Sequence, residues 1–487
     1  MTRQRVSTGI DGLDRVLRGG LLAERSYMLR GPPGAGKTIV CFHFLAAGVA
    51  AGETTLFVNL EEDLTGLRAD AESLGFPADD VAYMDGSPSA EVFTGDESYD
   101  VFTAADVEND ALTDRIVDRV RAVEPDRVVV DPLTQLRYLA SSEYQFRKQI
   151  VGLMRFLTNE GATVLFTTQE TGSTPTEELE FISDGAIQLE RTEAGPRVDV
   201  PKLRGSGVQA GDHAYRVTDT GIVVYPELDT TAVEDTDDFG ETISSGVSGV
   251  DELLHGGIER GTVTIVSGPT GVGKTTLGTQ FAKEAAGRGE RSVVYLFEES
   301  ERTYLQRSRA VDIPVEEMRE RGTLGVEEIE ALDLSAQEFA QQVRSEVERN
   351  DTSIVMIDGI AGYRLIASGE RDLVTRRLHA LSRYLKNAGV TTIIIEETSN
   401  VTGDFKATDQ NITYLADGIV FLRHLEVSGE LQKVIGVLKK RTGDFERRLR
   451  QFQITESGLD VGEPLTSMRG ILTGTPEKVG DPSDATE

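Results

Sequence analysis

The residues of this 487-residue chain best suited to chemistry are two glycine-rich loops and two pairs of glutamates. "GPPGAGKT" (31–38) and "GPTGVGKT" (268–275) both fit G-x-x-x-x-G-K-[ST]. In such a loop backbone N–H groups turn inward around phosphate oxygens, and the following helix adds its dipole. The candidate ATP-binding positions are Gly31, Gly34, Ala35, Gly36, Lys37 and Thr38, then Gly268, Gly271, Val272, Gly273, Lys274, Thr275 and Thr276. Lys37 and Lys274 would reach the β and γ phosphates, and Thr38 and Thr275 would offer hydroxyls to Mg2+. A glycine-rich turn with a chance lysine is the bland alternative. Two matches at equivalent points speak against it.

Magnesium needs a further acidic ligand. "DRVVVDPL" (126–133) and "TSIVMIDGI" (352–360) are apolar strands ending in Asp131 and Asp358, which suits a metal role, although such an aspartate is more often a turn residue or helix cap. Hydrolysis also needs a base for the attacking water. Glu61–Glu62 and Glu298–Glu299 each end the strand after a phosphate-loop helix, facing the same crevice. Charge at a helix start would explain one pair, at about 0.3–1 kcal/mol. Recurrence at a fixed spacing favours at least one catalytic carboxylate per pair.

The elements that must position these residues are written twice. Lys37 matches Lys274, and Glu61 and Glu62 match Glu298 and Glu299, each 237 residues apart. The spacing drifts in the middle and returns at Lys202 and Arg204 against Lys439 and Arg441. A repeat this long is a whole domain rather than a solenoid unit. Within each copy short apolar runs such as "SVVYLF" and "TTIIIE" alternate with amphipathic stretches. That pattern predicts an α/β fold, a mostly parallel twisted sheet with helices on both faces, with ligands collecting beyond the carboxyl ends of strands. The expected domains are 1–226 and 242–470, joined by an acidic linker (227–241) and followed by a loose tail (471–487).

Composition sets outer bounds. The 82 acidic residues exceed the 50 basic ones for a net charge of −32, and only 11 of the basic residues are lysine. Acid spread along the whole chain reads as adaptation to high salt more readily than as a surface for a basic partner. It also argues against nucleic acid, which needs a basic footprint. One cysteine, Cys41, excludes an internal disulfide. No apolar leader or run of eighteen apolar residues is present, so a cytoplasmic protein without a membrane span is expected.

Two P-loop domains in tandem, each with a Glu-Glu pair after the second strand, resemble the KaiC ATPases of the circadian clock and their archaeal relatives. "PKLRGSGVQAGDHAYRVTDTGIVVYP" (201–226) and "FLRHLEVSGELQKVIGVLKKRTGDFERRLRQFQITESG" (421–458) are similar to the ends of that family's two domains. The resemblance covers roughly residues 5–475 and implies tandem RecA-like domains. It further implies a homohexameric ring with ATP between subunits, and Lys202, Arg204, Lys439 and Arg441 pointing at the adjacent protomer's nucleotide. The family's second domain phosphorylates itself on a Ser and the Thr after it. Here Thr413 falls on the Ser position, Tyr414 on the Thr position, and Thr408 on a further threonine implicated in that chemistry. Thr413 is therefore the phosphoacceptor candidate of a serine/threonine autokinase, with half of the usual pair replaced. Aligning Asp184 with Asp417 sets Thr413 against Glu180, a fixed negative charge in the first domain. The tail resembles the family only up to "GTP" (474–476), which weakens a strict timekeeping role.

The leading expectation is an ATPase with autokinase capability, acting in signalling or clock-related regulation with an unidentified protein partner. A RecA/RadA-like DNA-dependent ATPase shares the P-loop chemistry but should carry basic or aromatic loops facing a central channel, and no lysine-rich loop is evident. An ATP-assembled ring scaffold without turnover fits poorly with complete catalytic sets in both halves.

Overall fold

The computed structural model describes residues 4–87, 104–140, 142–169, 177–229, 241–366, 371–398, 412–427, 429–466, 468–471 and 477–478. Thr408, most of the expected linker and most of the expected tail lie outside the described residues. The chain divides into two compact units, Met1–Glu227 and Leu228–Glu487.

Each unit is built on one nine-stranded sheet. In the first unit the strands are β1 (Ser26–Gly31), β2 (Thr55–Asn59), β3 (Ala82–Asp85), β4 (Arg127–Asp131), β5 (Thr163–Gln169), β6 (Gly185–Thr192), β7 (Gly195–Leu203), β8 (His213–Thr218) and β9 (Gly221–Tyr225). Their spatial order is β3-β2-β4-β5-β1-β6-β7-β8-β9. In the second unit they are β10 (Val263–Gly268), β11 (Arg291–Leu296), β12 (Leu324–Glu328), β13 (Thr352–Asp358), β14 (Thr391–Glu397), β15 (Gly418–Val427), β16 (Glu430–Lys440), β17 (Arg450–Thr455) and β18 (Gly458–Pro464). Their order, β12-β11-β13-β14-β10-β15-β16-β17-β18, is the same topology. The first six strands of each sheet are parallel, and the last three add antiparallel hairpins.

The central strands are apolar on both faces because both faces are covered. In β1, Tyr27 and Leu29 enter one core with Phe44 and Phe57, while Met28 enters the other with Val130 and Phe166. In the second unit Val294 and Leu296 of β11 face one core, and Val293 and Tyr295 the other. Each such aliphatic or aromatic side chain contributes about 1.5–3 kcal/mol on burial. The expected α/β class, mostly parallel with helices on both faces, is what the chain adopts. Among the described residues no helix is long and apolar enough to cross a membrane.

Two details carry the first strand into its helix. Gly36 and Gly273 precede the helices Lys37–Ala50 and Lys274–Gly287 with φ of +93° and +113°. A Cβ there would also stand 2.8 Å from Ile222 Cδ1 in the first unit and 2.7 Å from Ile454 Cδ1 in the second. Only glycine meets both demands without strain.

Candidate active site

The phosphate loop leaves the carboxyl end of the central strand in each unit, β1 and β10, and the neighbouring parallel strands bring the rest of the site to the same edge. The alternation seen in sequence dictates this: parallel strands joined by helices all end on one side. Ala35 and Val272 turn buried side chains into the core, so they offer only backbone to a ligand. Lys37 Nζ donates to the carbonyls of Gly31 (2.8 Å) and Pro32 (3.2 Å), and Lys274 Nζ donates to that of Pro269 (2.9 Å). Burial holds the Lys274 ammonium below its usual range, opposed by Glu397, Asp358 and Glu298. Thr276 is buried in the first helical turn.

The aspartates stand where the motif reading placed them, at the ends of β4 and β13. Thr38 Oγ1 donates to Asp131 Oδ2 at 2.8 Å, and the Thr167 hydroxyl donates to the other carboxylate oxygen. Thr275 Oγ1 donates to Asp358 Oδ1 at 3.1 Å. Burial pushes the Asp131 carboxyl above its ordinary value against the pull of Thr167, Thr38 and Lys37. Burial also raises Asp358, to about 7, with Glu299 and Glu298 adding to the rise. A buried carboxylate beside a hydroxyl is short of positive charge, and a divalent cation would supply it. Among the described residues no cluster of three or more His, Cys, Asp or Glu could hold a metal. One carboxylate and one hydroxyl per site instead suit Mg2+, which keeps waters and shares the phosphates of its nucleotide.

The glutamate pairs are held next to these aspartates by the same backbone bond in each unit. Leu60 N donates to Asp131 O, and Phe297 N to Asp358 O, both at 2.9 Å. Asp63 and Ser300 then cap the next helices, accepting from Gly66 N and Thr303 N. Within each pair the two glutamates differ. Glu61 Oε2 accepts from Gln169 Nε2 at 2.5 Å. Glu62 is raised by burial, then by Asp131, Glu61 and Asp70. In the second unit Glu299 is clamped by Arg307 through both oxygens, at 2.6 and 2.8 Å. Glu298 is raised by burial and by Glu397, against Lys274 and Arg364. Lys274, Thr275, Glu298, Glu299, Asp358 and Glu397 line one cavity of about 260 Å3.

The four basic residues lie at the ends of β7 and β16 and just beyond. Lys202 Nζ donates to the carbonyls of Glu180 and Ser183, and Arg204 to that of Phe181. Lys439 Nζ donates likewise to Thr413 O (2.9 Å) and Ala416 O (2.6 Å), and Arg441 to Tyr414 O (3.3 Å). This shared pattern sets Thr413 at the place of Glu180, as the sequence alignment had it. Each lysine thus holds a segment of its own unit, while the Arg441 side chain is 51% exposed. Thr413 is half-buried, and Tyr414 is exposed. None of these residues lines the cavity that holds Lys274.

Sequence reasoning missed Gln169, Glu397, Arg307 and Asp70. Gln169 and Glu397 end apolar strands, the signal that had singled out Asp131 and Asp358. Arg307 and Asp70 are matched by the same spacing of 237, each eight residues past the second glutamate of its pair.

A twisted sheet of six parallel strands, with a phosphate loop on its central strand and an aspartate on the loop's hydroxyl, defines a RecA-like P-loop ATPase domain, and the chain carries two. The family model described as "ATPase: KaiC" matches residues 6–229 and again 243–466, and the chain belongs to that family. It is 26% identical to the "Circadian clock oscillator protein KaiC" of Acaryochloris marina, over 98% of this chain and 92% of that protein. The relative of the same name from Synechococcus elongatus is also 26% identical, with the same coverage. So is the "Circadian clock protein KaiC3" of Synechocystis, over 97% of this chain and 94% of that one. The chain is an ATPase of the clock-protein family.

Proposed function

We propose that both domains hydrolyse ATP with Mg2+ and that the second also transfers the γ-phosphate to a hydroxyl of its own chain type, with Thr413 as the acceptor. The observation that carries the hydrolytic reading is the gathering of Lys274, Thr275, Asp358 and Glu298 around one cavity. Lys37, Thr38, Asp131 and Glu61 are the matching residues of the first domain, where Thr38 donates to Asp131. Thr38 with Asp131, and Thr275 with Asp358, would hold Mg2+, whose charge offsets that of the phosphates.

In hydrolysis the Glu61 or Glu298 carboxylate takes a proton from water as its oxygen bonds to the γ-phosphorus and the bond to the β-phosphate oxygen breaks. In the kinase reaction the Thr413 hydroxyl replaces water, its proton passes to Glu298, and ADP leaves. The family resemblance supports a homohexamer with nucleotide between subunits. In that arrangement Arg204 and Arg441 act on the adjacent subunit's nucleotide, while Lys202 and Lys439 brace the segments beside them. The relatives' names, all of circadian clock proteins, support a regulatory output. The acidic, lysine-poor surface supports a cytoplasm of high salt.

The experiment is intact-protein and phosphopeptide mass spectrometry after incubation with ATP and Mg2+, with native mass for ring size. Lys274→Ala should abolish phosphate on Thr413 and Lys37→Ala should spare it, each lowering phosphate release from its own domain by at least about a hundredfold. An unmodified Thr413 in an active ATPase would sink the kinase half.

A further inference from the structure

We propose that Gln169 is a positioning residue for Glu61, fixing the orientation of the first domain's candidate base. This rests on the reading of Glu61 as that base and adds a residue to it.

The strand register supplies the placement. Gly31, the first glycine of the phosphate loop, pairs with Gln169 across β1 and β5, so the last residue of β5 lies alongside the start of the loop. From there the side chain reaches Glu61, 108 residues away in sequence, at 2.5 Å. Facing an ionised carboxylate, only the amide nitrogen of Gln169 can donate, so the bond has a fixed sense. A donor on one carboxylate oxygen limits rotation of the group and leaves the other oxygen for an incoming water. Orientation of this kind distinguishes a base that meets its proton from one that averages over rotamers.

The second domain is a natural control. Gly268 pairs with Glu397 across β10 and β14, the same register point. Glu397 lines the cavity with Glu298 and, when ionised, has no hydrogen to donate. The second domain therefore lacks this brace and sets two carboxylates around Lys274. Glu298 faces Lys274 and Arg364 rather than a neutral amide at that register point.

The test uses the full chain with Lys274→Ala to silence the second domain, reading steady-state phosphate release. Gln169→Ala should lower kcat roughly tenfold with KM within about twofold. Gln169→Glu, equal in shape but without the donor, should be no better than alanine. In a Glu61→Ala background Gln169→Ala should cost nothing further, because the two residues act as one unit. The reciprocal change, Glu397→Gln in a Lys37→Ala chain, should raise hydrolysis in the second domain a few-fold. Full activity in Gln169→Glu, or a Gln169→Ala loss that persists undiminished without Glu61, overturns the proposal. An unchanged kcat in Glu61→Ala alone overturns the assignment of the base beneath it, a separate result.

Discussion

The two domains share strand order, register and loop chemistry, yet surround their second glutamate with opposite charge. Glu299 is neutralised by Arg307, which takes both of its oxygens. The matching residue of the first domain is Asp70, whose charge adds to the rise of Glu62. The strand-end position differs in the reverse sense, a neutral amide at Gln169 and a carboxylate at Glu397. A third difference lies before β6 and β15. Glu180 pairs with Arg30 at 3.1 Å, whereas Thr413 stands at the first position and buried Ser267 at the second. One scaffold thus carries two electrostatic settings. The phosphate loop and the strand-end aspartate recur at equivalent points, and the charges around them differ.

Four changes would break or sharpen that comparison. The largest effect is expected at Asp358. Its carboxyl stands at about 7 in the metal-free fold against the ordinary 3.8, so between those values the folded chain keeps a proton that the unfolded chain has lost. Stability tied to this group is fully present below about pH 4 and is lost as pH rises through about 7. Asp358→Asn, which cannot ionise, should therefore stabilise the metal-free second domain more at pH 8 than at pH 5, by on the order of 2–3 kcal/mol. Calorimetry at the two pH values checks this, and an equal gain at both would contradict it.

Arg307 comes next. Arg307→Ala frees the Glu299 charge beside the phosphate site and should weaken ATP binding in the second domain by about threefold to tenfold. Asp70→Arg should tighten the first domain by a similar factor. Titration with each lysine variant isolating one domain would show it. A change of the same sign in both domains would mean that the charge contrast does not tune the sites. The smallest effect belongs to Arg30. Arg30→Ser breaks a partly exposed ion pair and should cost less than about 1 kcal/mol, seen as a small fall in the denaturant midpoint of the first domain. A loss of several kcal/mol would show that the Arg30–Glu180 pair is a structural element rather than a mild difference of setting.

Much of this site was legible because its parts are short strings in fixed order. The loops, the strand-end Asp131 and Asp358 and the glutamate pairs each sit within a few residues of a strand end, where periodicity and motif speak together. Repetition at one spacing then separated signal from an acidic background. Gln169 stands at such a strand end, but its bond to Glu61 could not be found that way. Its partner Glu61 is 108 residues distant, and β5 reaches β1 only through the sheet order. The clamp of Arg307 on Glu299 depended on helix phase, which a string of charged residues leaves undecided. The bonds of Lys202 and Lys439 were equally out of reach, since a basic residue at a strand end reads alike whether it braces a carbonyl or faces a neighbour.

By itself, then, the sequence determined the class of fold, its duplication, the nucleotide loops and the acidic residues around them. These follow from local backbone demands: glycine where φ must be positive, apolar runs where both faces are covered, polar residues where strands end. Only the tertiary structure decided which glutamate of each pair is restrained and by what. That choice depends on side chains brought within hydrogen-bond reach by strand register and helix packing, and distances of a few ångströms across the sheet are not written in spacing along the chain.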